Sequence, residues 1–474
     1  MKSSLAVLGL VVLGLLSAAS SSPLRVSDPR PDVLLILTDD QTLESMRVME
    51  RTRRLIGDEG TTFANATVST SLCCPSRATL LTGQYAHNHG VRDNKPPLGG
   101  YLRLEPHSTL PVWLRQAGYS TAHVGKYLNG YGHGTPAVVP PGWTRWFGLV
   151  DPTTYRVYDY RVSDQGKVVS YGEDEDDYQT DVLAAKAEEI LRAFASADRP
   201  FFLSVAPVPP HLERSDESGK GVAPRPAPRH EGSFADEPLP AKASYDEADV
   251  SDKPPFVRKL PRLGEKARDR TLQIYRARLA SLLAVDDLVD RLVRALAETG
   301  RLDRTVILFT SDNGFFSGEH RLLDGKYYPY EESIRVPLLI RGGGFPKGRV
   351  AQQVVSNVDL AATIVALAKA QPGRVLDGRS LLPLALEAQT ARNRGVLIEG
   401  FGPEKQRPSF AAIRTPRWLW AEYGDGSREL YDLSTDPLEL TSRHRDPTLA
   451  DLRASLAARL AKLRRCAGAG CAGE

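Results

Sequence analysis

The sequence predicts an α/β fold: a large central, mostly parallel (mixed) sheet flanked by helices, with a smaller C-terminal antiparallel sheet carrying a packed helix. Three observations predict it. From Pro31 onward, strand-like and helix-like segments alternate, the pattern of a sheet sandwiched by helices. The strand-like runs Val33 to Leu37, Phe201 to Val205 and Val306 to Phe309 are almost wholly apolar, as strands covered on both faces must be. Near the C-terminus the texture changes to short segments around a Gly424, Asp425, Gly426 turn.

Taken in order, Lys2 precedes the apolar run Leu5 to Leu16, and Ser17, Ala18 and Ala19 follow it. That charged, apolar, small-residue order predicts a signal peptide over residues 1–19, cleaved near Ala19. The run falls short of the roughly 18 apolar residues a membrane span needs. The mature chain is therefore expected to be secreted or extracytoplasmic, with no stable membrane anchor. Residues 31–385 are expected to form the large α/β domain. Within them, Val33 to Leu37 runs into Thr38, Asp39 and Asp40; Phe201 to Val205 runs into a Pro-rich turn carrying His211; Val306 to Phe309 runs into Thr310, Ser311, Asp312 and Asn313. Ligand sites in open α/β sheets gather at the carboxyl ends of strands, so these polar ends are expected to converge.

Asp181 to Phe194 reads as an amphipathic helix, and Glu265 to Thr299 carries Leu272, Leu279, Leu282, Leu283 and Val289 near helical spacing. Residues 206–263, rich in Pro and charge without periodicity, predict a long irregular excursion. Residues 386–474 are expected to form the smaller α+β domain. There Arg417 to Tyr423 and Arg428 to Leu433 make a hairpin with Trp418 and Trp420 on one face, and Leu449, Leu452, Leu456, Leu460 and Leu463 mark one face of a terminal helix.

Composition excludes several classes. The 61 Lys+Arg against 58 Asp+Glu leave a formal charge of +3, without the basic excess a nucleic-acid binder needs. Cys466 and Cys471, flanking a short Ala/Gly segment, predict a small disulfide in an oxidising compartment. Adjacent Cys73 and Cys74 would strain a mutual bond. Asp286 and Asp287 look like paired carboxylates, but neighbours on a helix point apart, which makes them structural. The acidic run Glu173 to Asp177 reads as a solvated loop.

The sharpest feature is the segment SLCCPSRATLLTG, Ser71 to Gly83. It resembles the signature of the type I, formylglycine-dependent sulfatases of the alkaline phosphatase superfamily, matching at Cys73, Pro75, Ser76, Arg77, Thr82 and Gly83. Supporting motifs follow along the chain: LTDDQ with Asp39 and Asp40, GKYLNGYG with Lys126, the PPH turn with His211, TSDNG with Asp312 and Asn313, DGK with Lys326, then RVPLLIRG and LYDLSTDP. The GKYLN form and YAHNHGV are similar to the N-acetylglucosamine-6-sulfatase branch.

The resemblance implies that Cys73, the first cysteine, is converted to formylglycine by a formylglycine-generating enzyme, leaving Cys74 to pack. A plain thiolate suits sulfate transfer poorly, since the adduct has no easy exit. An aldehyde hydrate offers one hydroxyl to attack sulfur and a second whose proton loss expels sulfate. Pro75 suits the first turn of a helix, placing Cys73 at an N-terminus that favours an anion. Asp39, Asp40, Asp312 and Asn313 are hard oxygen ligands, which indicates Ca²⁺, with Mg²⁺ the lesser fit. Arg77, Lys126 and Lys326 are expected to hold hydrate and sulfate oxygens, and His211 to protonate the departing alcohol. Many sulfatases carry a histidine where this chain has Leu128, so His87 or His89 is a candidate for the missing base. Ala421 to Tyr423 are candidates to border the pocket. The implied substrates are O-sulfated sugars, such as N-acetylglucosamine 6-sulfate, or aryl sulfates. A phosphoester or phosphonate hydrolase of the same superfamily and an unconverted sulfated-glycan binding protein remain alternatives.

Overall fold

The computed structural model describes residues 28–214, 221–386, 394–402 and 407–471. The expected signal peptide lies outside the described residues, as does most of the segment just after position 385. Among the described residues, no helix is long and apolar enough to cross a membrane.

Ten strands form the central sheet: β1 (Asp32–Thr38), β2 (Gly60–Thr67), β3 (Ser120–Gly125), β4 (Arg145–Leu149), β5 (Arg161–Asp164), β6 (Lys167–Ser170), β7 (Phe201–Ala206), β8 (Thr305–Ser311), β11 (Leu338–Arg341) and β12 (Arg349–Ser356). A two-stranded ribbon, β9 (Phe316–Ser317) and β10 (Leu323–Gly325), sits between β8 and β11 in the chain. The sheet order is β12-β2-β11-β8-β1-β7-β3-β4-β5-β6. Its centre, β8-β1-β7-β3-β4, is parallel, whereas β11, β5 and β6 run antiparallel to their neighbours. The sheet is thus mostly parallel and mixed.

Every residue of β1 is buried, and the two-residue period of a strand explains how. Val33, Leu35 and Leu37 pack toward α1 (Cys73–Thr82), α2 (Leu110–Gln116) and α5 (Val358–Ala368). Leu34 and Ile36 pack on the other face toward α3 (Gln179–Ala195) and α4 (Glu265–Glu298). A strand with helices on both faces has no solvated side, so its sequence shows no alternation. The apolar periodicity of Glu265 to Thr299 is realised as one 34-residue helix.

The smaller sheet, β13 (Val396–Gly400), β14 (Phe410–Arg414), β15 (Trp418–Tyr423) and β16 (Arg428–Asp432), is antiparallel in that order. Leu456, Leu460 and Leu463 of α6 (Ala450–Leu463) are buried against it with Trp420 and Leu430. Cys466 and Cys471 are disulfide-bonded. Asp286 is structural, accepting from the Thr52 backbone N–H at 2.7 Å, while Asp287 turns to Arg229 and His230. Glu173 to Asp176 are exposed, as the sequence predicts.

Candidate active site

Sheet order does most of the assembly. Thr38 of β1 pairs in register with Ser311 of β8, so Asp39 and Asp40 leave the sheet beside Asp312 and Asn313. On the other side of β1, β7 ends at Ala206 and leads to His211; next to it β3 ends at Gly125 and leads to Lys126. The Lys126 N–H donates to the Ala206 carbonyl at 2.9 Å. Gly125 has φ +109°, and a Cβ there would lie 2.2 Å from the Ala206 oxygen, so the GK motif needs its glycine for this close approach. The fifth contributor is α1, which begins at Cys73 after an extended Leu72 and stops at left-handed Gly83.

The nine sequence-predicted residues form one cluster. Cys73 Sγ lies 3.0 Å from Lys326 Nζ and 3.5 Å from Asp39 Oδ1. Lys126 pairs with Asp39, and Lys326 with Asp40. Arg77 Nε donates to Asp312 Oδ2 at 2.7 Å, and one of its Nη groups donates to the Lys126 carbonyl at 2.8 Å. Asn313 Nδ2 donates to Asp40 Oδ1 at 2.6 Å. His211 Nε2 stands 3.6 Å from Asp40 Oδ2, its Nδ1 bonds the Leu212 carbonyl at 2.7 Å, and its ring stacks on Tyr155.

These charges set one another's ionisation. Burial pushes Asp39 and Asp40 up, but Lys126 beside the first and Lys326 beside the second, with His211 adding to both, hold them below the usual carboxylate range. Burial would strip Lys126 and Lys326 of their protons, yet Asp39 and Asp40 keep both well above the ordinary lysine value. Burial, with Asp39 adding to it, pushes the Cys73 thiol up to about 11, so the unmodified side chain is a neutral thiol and no nucleophile. Burial brings His211 down to about 4 against the pull of Asp40 and Asp39.

Three carboxylates and the Asn313 amide make an oxygen-rich donor set. Asn313 Oδ1 is buried without a hydrogen-bond partner. Asp39, Asp40, Cys73 and His211 also bring ligand atoms within 4.8 Å of one another. An orphaned amide oxygen among anionic oxygens fits a hard divalent cation.

Cys73, Asp40, His211 and Lys326 face a cavity of about 530 Å³, lined also by Asn94, Tyr155, Arg214, Arg270 and Asp324. Sequence reasoning missed these five, and also Arg278. Buried in α4, Arg278 donates to the Asp40 carbonyl at 2.6 Å and the Pro210 carbonyl at 2.7 Å, gripping the chain before both Gln41 and His211. An arginine among Ile274, Tyr275, Leu279 and Leu282, on the apolar face, was the available signal. Tyr155 lies in irregular backbone and left none.

Two candidates are corrected. His87 bonds Glu399 at 2.8 Å and the Cys466 carbonyl at 3.0 Å; His89 bonds Thr79 at 3.1 Å and accepts from the Val91 N–H. Neither lines the Cys73 cavity, because the turn after Gly83 carries both toward the small sheet and the flank of α1. Glu422 and Tyr423 line a different cavity, with His87 and Glu399.

A family model described as sulfatase matches residues 31–370, and one described as N-sulphoglucosamine sulphohydrolase, C-terminal, matches residues 318–466. An arylsulfatase of Volvox carteri is 34% identical over 98% of this chain and 78% of its own length. Human N-acetylglucosamine-6-sulfatase is 34% identical over 93% of this chain and 86% of its own. A solved protein, in complex with its substrate D-glucosamine-2-N,6-O-disulfate, superposes with a TM-score of 0.78 at 25% identity, covering 92% of this chain and 98% of that one. With its motifs gathered at the strand ends and these relatives matched along nearly its whole length, the chain belongs to the sulfatase family, hydrolases of sulfate esters.

Proposed function

We propose that this sulfatase removes sulfate from O-sulfated sugars of the N-acetylglucosamine 6-sulfate kind, using formylglycine made from Cys73 and a Ca²⁺ ion held by Asp39, Asp40, Asp312 and Asn313. The observation that carries the reading is the setting of Cys73: its Sγ is buried at the cavity floor, between the Lys326 ammonium at 3.0 Å and the Asp39 carboxylate at 3.5 Å. A thiol held neutral there is inert, so the position makes chemical sense only once modified. The formylglycine hydrate supplies a nucleophilic hydroxyl, and the bound cation lowers the cost of gathering negative oxygens around it.

The chain's own side chains do the rest. Lys126 and Lys326, kept charged by Asp39 and Asp40, offer Nζ–H donors to sulfate oxygens. Arg77, anchored by Asp312 and the Lys126 carbonyl, has one buried Nη group with no hydrogen bond, 3.7 Å from Asp39, and holds Lys126 in position. His211 Nε2 protonates the leaving oxygen. In the free site that nitrogen is unprotonated, and an anionic ester arriving beside it favours the charged form. Arg214 at the cavity wall suits a substrate with a further anionic group, while Arg270 there is paired with Asp324.

Support for the sugar comes from the relatives: an N-acetylglucosamine-6-sulfatase is 34% identical, and the solved neighbour binds a 6-O-sulfated glucosamine. The reading assigns catalysis to residues 31–385, backed by residues 386–474, in a protein exported after loss of residues 1–19. Mass spectrometry of the Cys73 peptide from active protein tests it. The expected mass is that of cysteine with H₂S replaced by O, with Cys74 unchanged; an unmodified Cys73 in fully active enzyme overturns the proposal.

A further inference from the structure

A second buried cluster lies outside the cavity. His320, Glu332 and Glu439 each bring a ligand atom within 4.8 Å of the others. His320 and Glu439 are fully buried and the Glu332 side chain is 8% exposed. Each also carries a buried polar atom with no hydrogen-bond partner: His320 Nε2, Glu332 Oε2 and Glu439 Oε1. His320 Nε2 is 3.8 Å from Glu332 Oε2, too far for a hydrogen bond.

The surroundings orient the three groups. His320 Nδ1 donates to Glu247 Oε2 at 2.7 Å, which leaves Nε2 as a lone pair aimed inward. A carboxylate holding the far nitrogen of a histidine is the usual outer support of a metal-bound imidazole. Glu439 is fixed through Oε2, which accepts from the Glu331 N–H at 2.8 Å, and Glu332 through Oε1, which accepts from Ser244 Oγ at 3.2 Å. Three acceptors facing one another cannot satisfy each other. One shared proton serves two of them, and one water has two hydrogens for three.

We propose that His320, Glu332 and Glu439 form a second metal site that takes one divalent cation of the zinc class. One imidazole with two carboxylates suits Zn²⁺, or Mn²⁺, better than Ca²⁺. Its place gives the purpose. His320 belongs to the connection from Asn313 to Lys326, Glu332 to the short helix Glu331–Ile334, and Glu439 to the loop after β16. The Phe315 N–H donates to the Glu332 carbonyl at 2.9 Å, and the Gly314 N–H to that of Ser333 at 2.8 Å. A cation here fastens the segment bearing Lys326 to the region of the small sheet, and it does so whether or not the catalytic proposal above is right.

The test uses the full-length protein, stripped with chelator and titrated with Zn²⁺, Mn²⁺ or Ca²⁺ while bound metal and melting temperature are followed. One equivalent of Zn²⁺ or Mn²⁺ is expected to bind and raise the melting temperature, equally in wild type and in Asp312→Asn. Glu439→Gln should lose that equivalent. Glu247→Gln, which leaves all three ligands in place, should weaken zinc binding about 10- to 100-fold. Cobalt-loaded wild type should show the visible absorption of a nitrogen-ligated ion, a readout that needs no variant. Zinc uptake unaffected by Glu247→Gln, uptake abolished by Asp312→Asn, or a wild type that takes up neither Zn²⁺ nor Mn²⁺ overturns the proposal.

Discussion

The strand-end crevice and the junction between the two sheets both bury carboxylates, yet they satisfy them differently. In the crevice, Asp39 faces Lys126, Asp40 faces Lys326 and Asp312 faces Arg77, so each anion is met by a full positive charge. At the junction, Glu429 accepts from the phenol hydroxyls of Tyr330, Tyr423 and Tyr431, while Glu399 and Glu247 lean on His87 and His320. Arg414 and Lys253 supply cations there, to Glu331 and Glu247, but neither lines the Cys73 cavity. The neutral tyrosine hydroxyls fix shape without adding a field. Paired charges beside a cavity keep ammonium groups ionised where an anionic ester can reach them. The crevice is built to act on charge, the junction to hold two regions together.

Breaking the crevice should therefore cost turnover more than stability, and the largest effect is expected at Cys73. Cys73→Ala should abolish sulfate ester hydrolysis with an unchanged melting curve. Cys74→Ala should keep turnover, because Cys74 is buried in the main core, beyond the cavity. Equal losses from both, measured as initial rates on purified protein, would show that the two thiols share one role.

His211→Ala comes next, with a loss of about 10² to 10⁴, the usual worth of a general acid. The loss should fall on a sugar sulfate, whose alkoxide leaves poorly, and largely spare a nitroaryl sulfate. Equal rate ratios on the two substrates would move the acid role to Lys326. Asp312→Asn removes a proposed cation ligand and the partner of Arg77 together, and should lower kcat about 10² to 10³. Added Ca²⁺ restoring full activity to this variant would show that Asp312 acts only as a cation ligand, whereas an undiminished loss with Ca²⁺ fully bound would show that it serves only to position Arg77.

The same contrast explains what was legible in the sequence. Residues acting on charge at strand ends sit in short motifs, because the strand, the turn and the functional group are contiguous: LTDDQ, TSDNG and the PPH turn each followed a buried strand that the sequence showed, whereas the strand before GKYLN was read only in the structure. Helix α6 was legible from its leucines, and the disulfide from its spacing. The junction was not. Tyr423 and Glu429 meet within one hairpin, but Tyr330 reaches Glu429 from a segment about a hundred residues earlier, a meeting that depends on how the small sheet docks and that no local pattern encodes. His87 and His89 misled for the same reason: a turn of a few residues decided which way they faced.

Arg278 sharpens the comparison from the missed side, since it is a charge that acts through backbone. Its guanidinium holds the Asp40 carbonyl, where φ is +64°, and the Pro210 carbonyl just before His211. Arg278→Met leaves both acceptors unpaired, and small displacements of reacting groups can cost about 10²-fold. A fall in kcat of about 10- to 100-fold is expected, with KM little changed. Loss of melting temperature with kcat intact would make Arg278 a purely structural residue.

The smallest effect is expected at the junction, from His87. Burial lowers its pKa, but the hydrogen bond and charge of Glu399, with the Cys466 carbonyl on the other nitrogen, raise it above the ordinary histidine value. A histidine whose folded value is raised stabilises fully below its unfolded value, about 6.5, and loses that contribution as pH climbs through the folded value. The melting difference between wild type and His87→Gln should therefore be largest at about pH 5.5, below the unfolded histidine value, where the histidine is charged in both states. A hydrogen-bonded, partly buried charge of this kind is worth about 1–2 kcal/mol. The difference should shrink steadily toward alkaline pH, while kcat at a fixed pH stays level, because the pair touches no residue of the cavity. A gap independent of pH would mean that His87 is neutral and merely packs, and that the junction has no charge on this side to titrate.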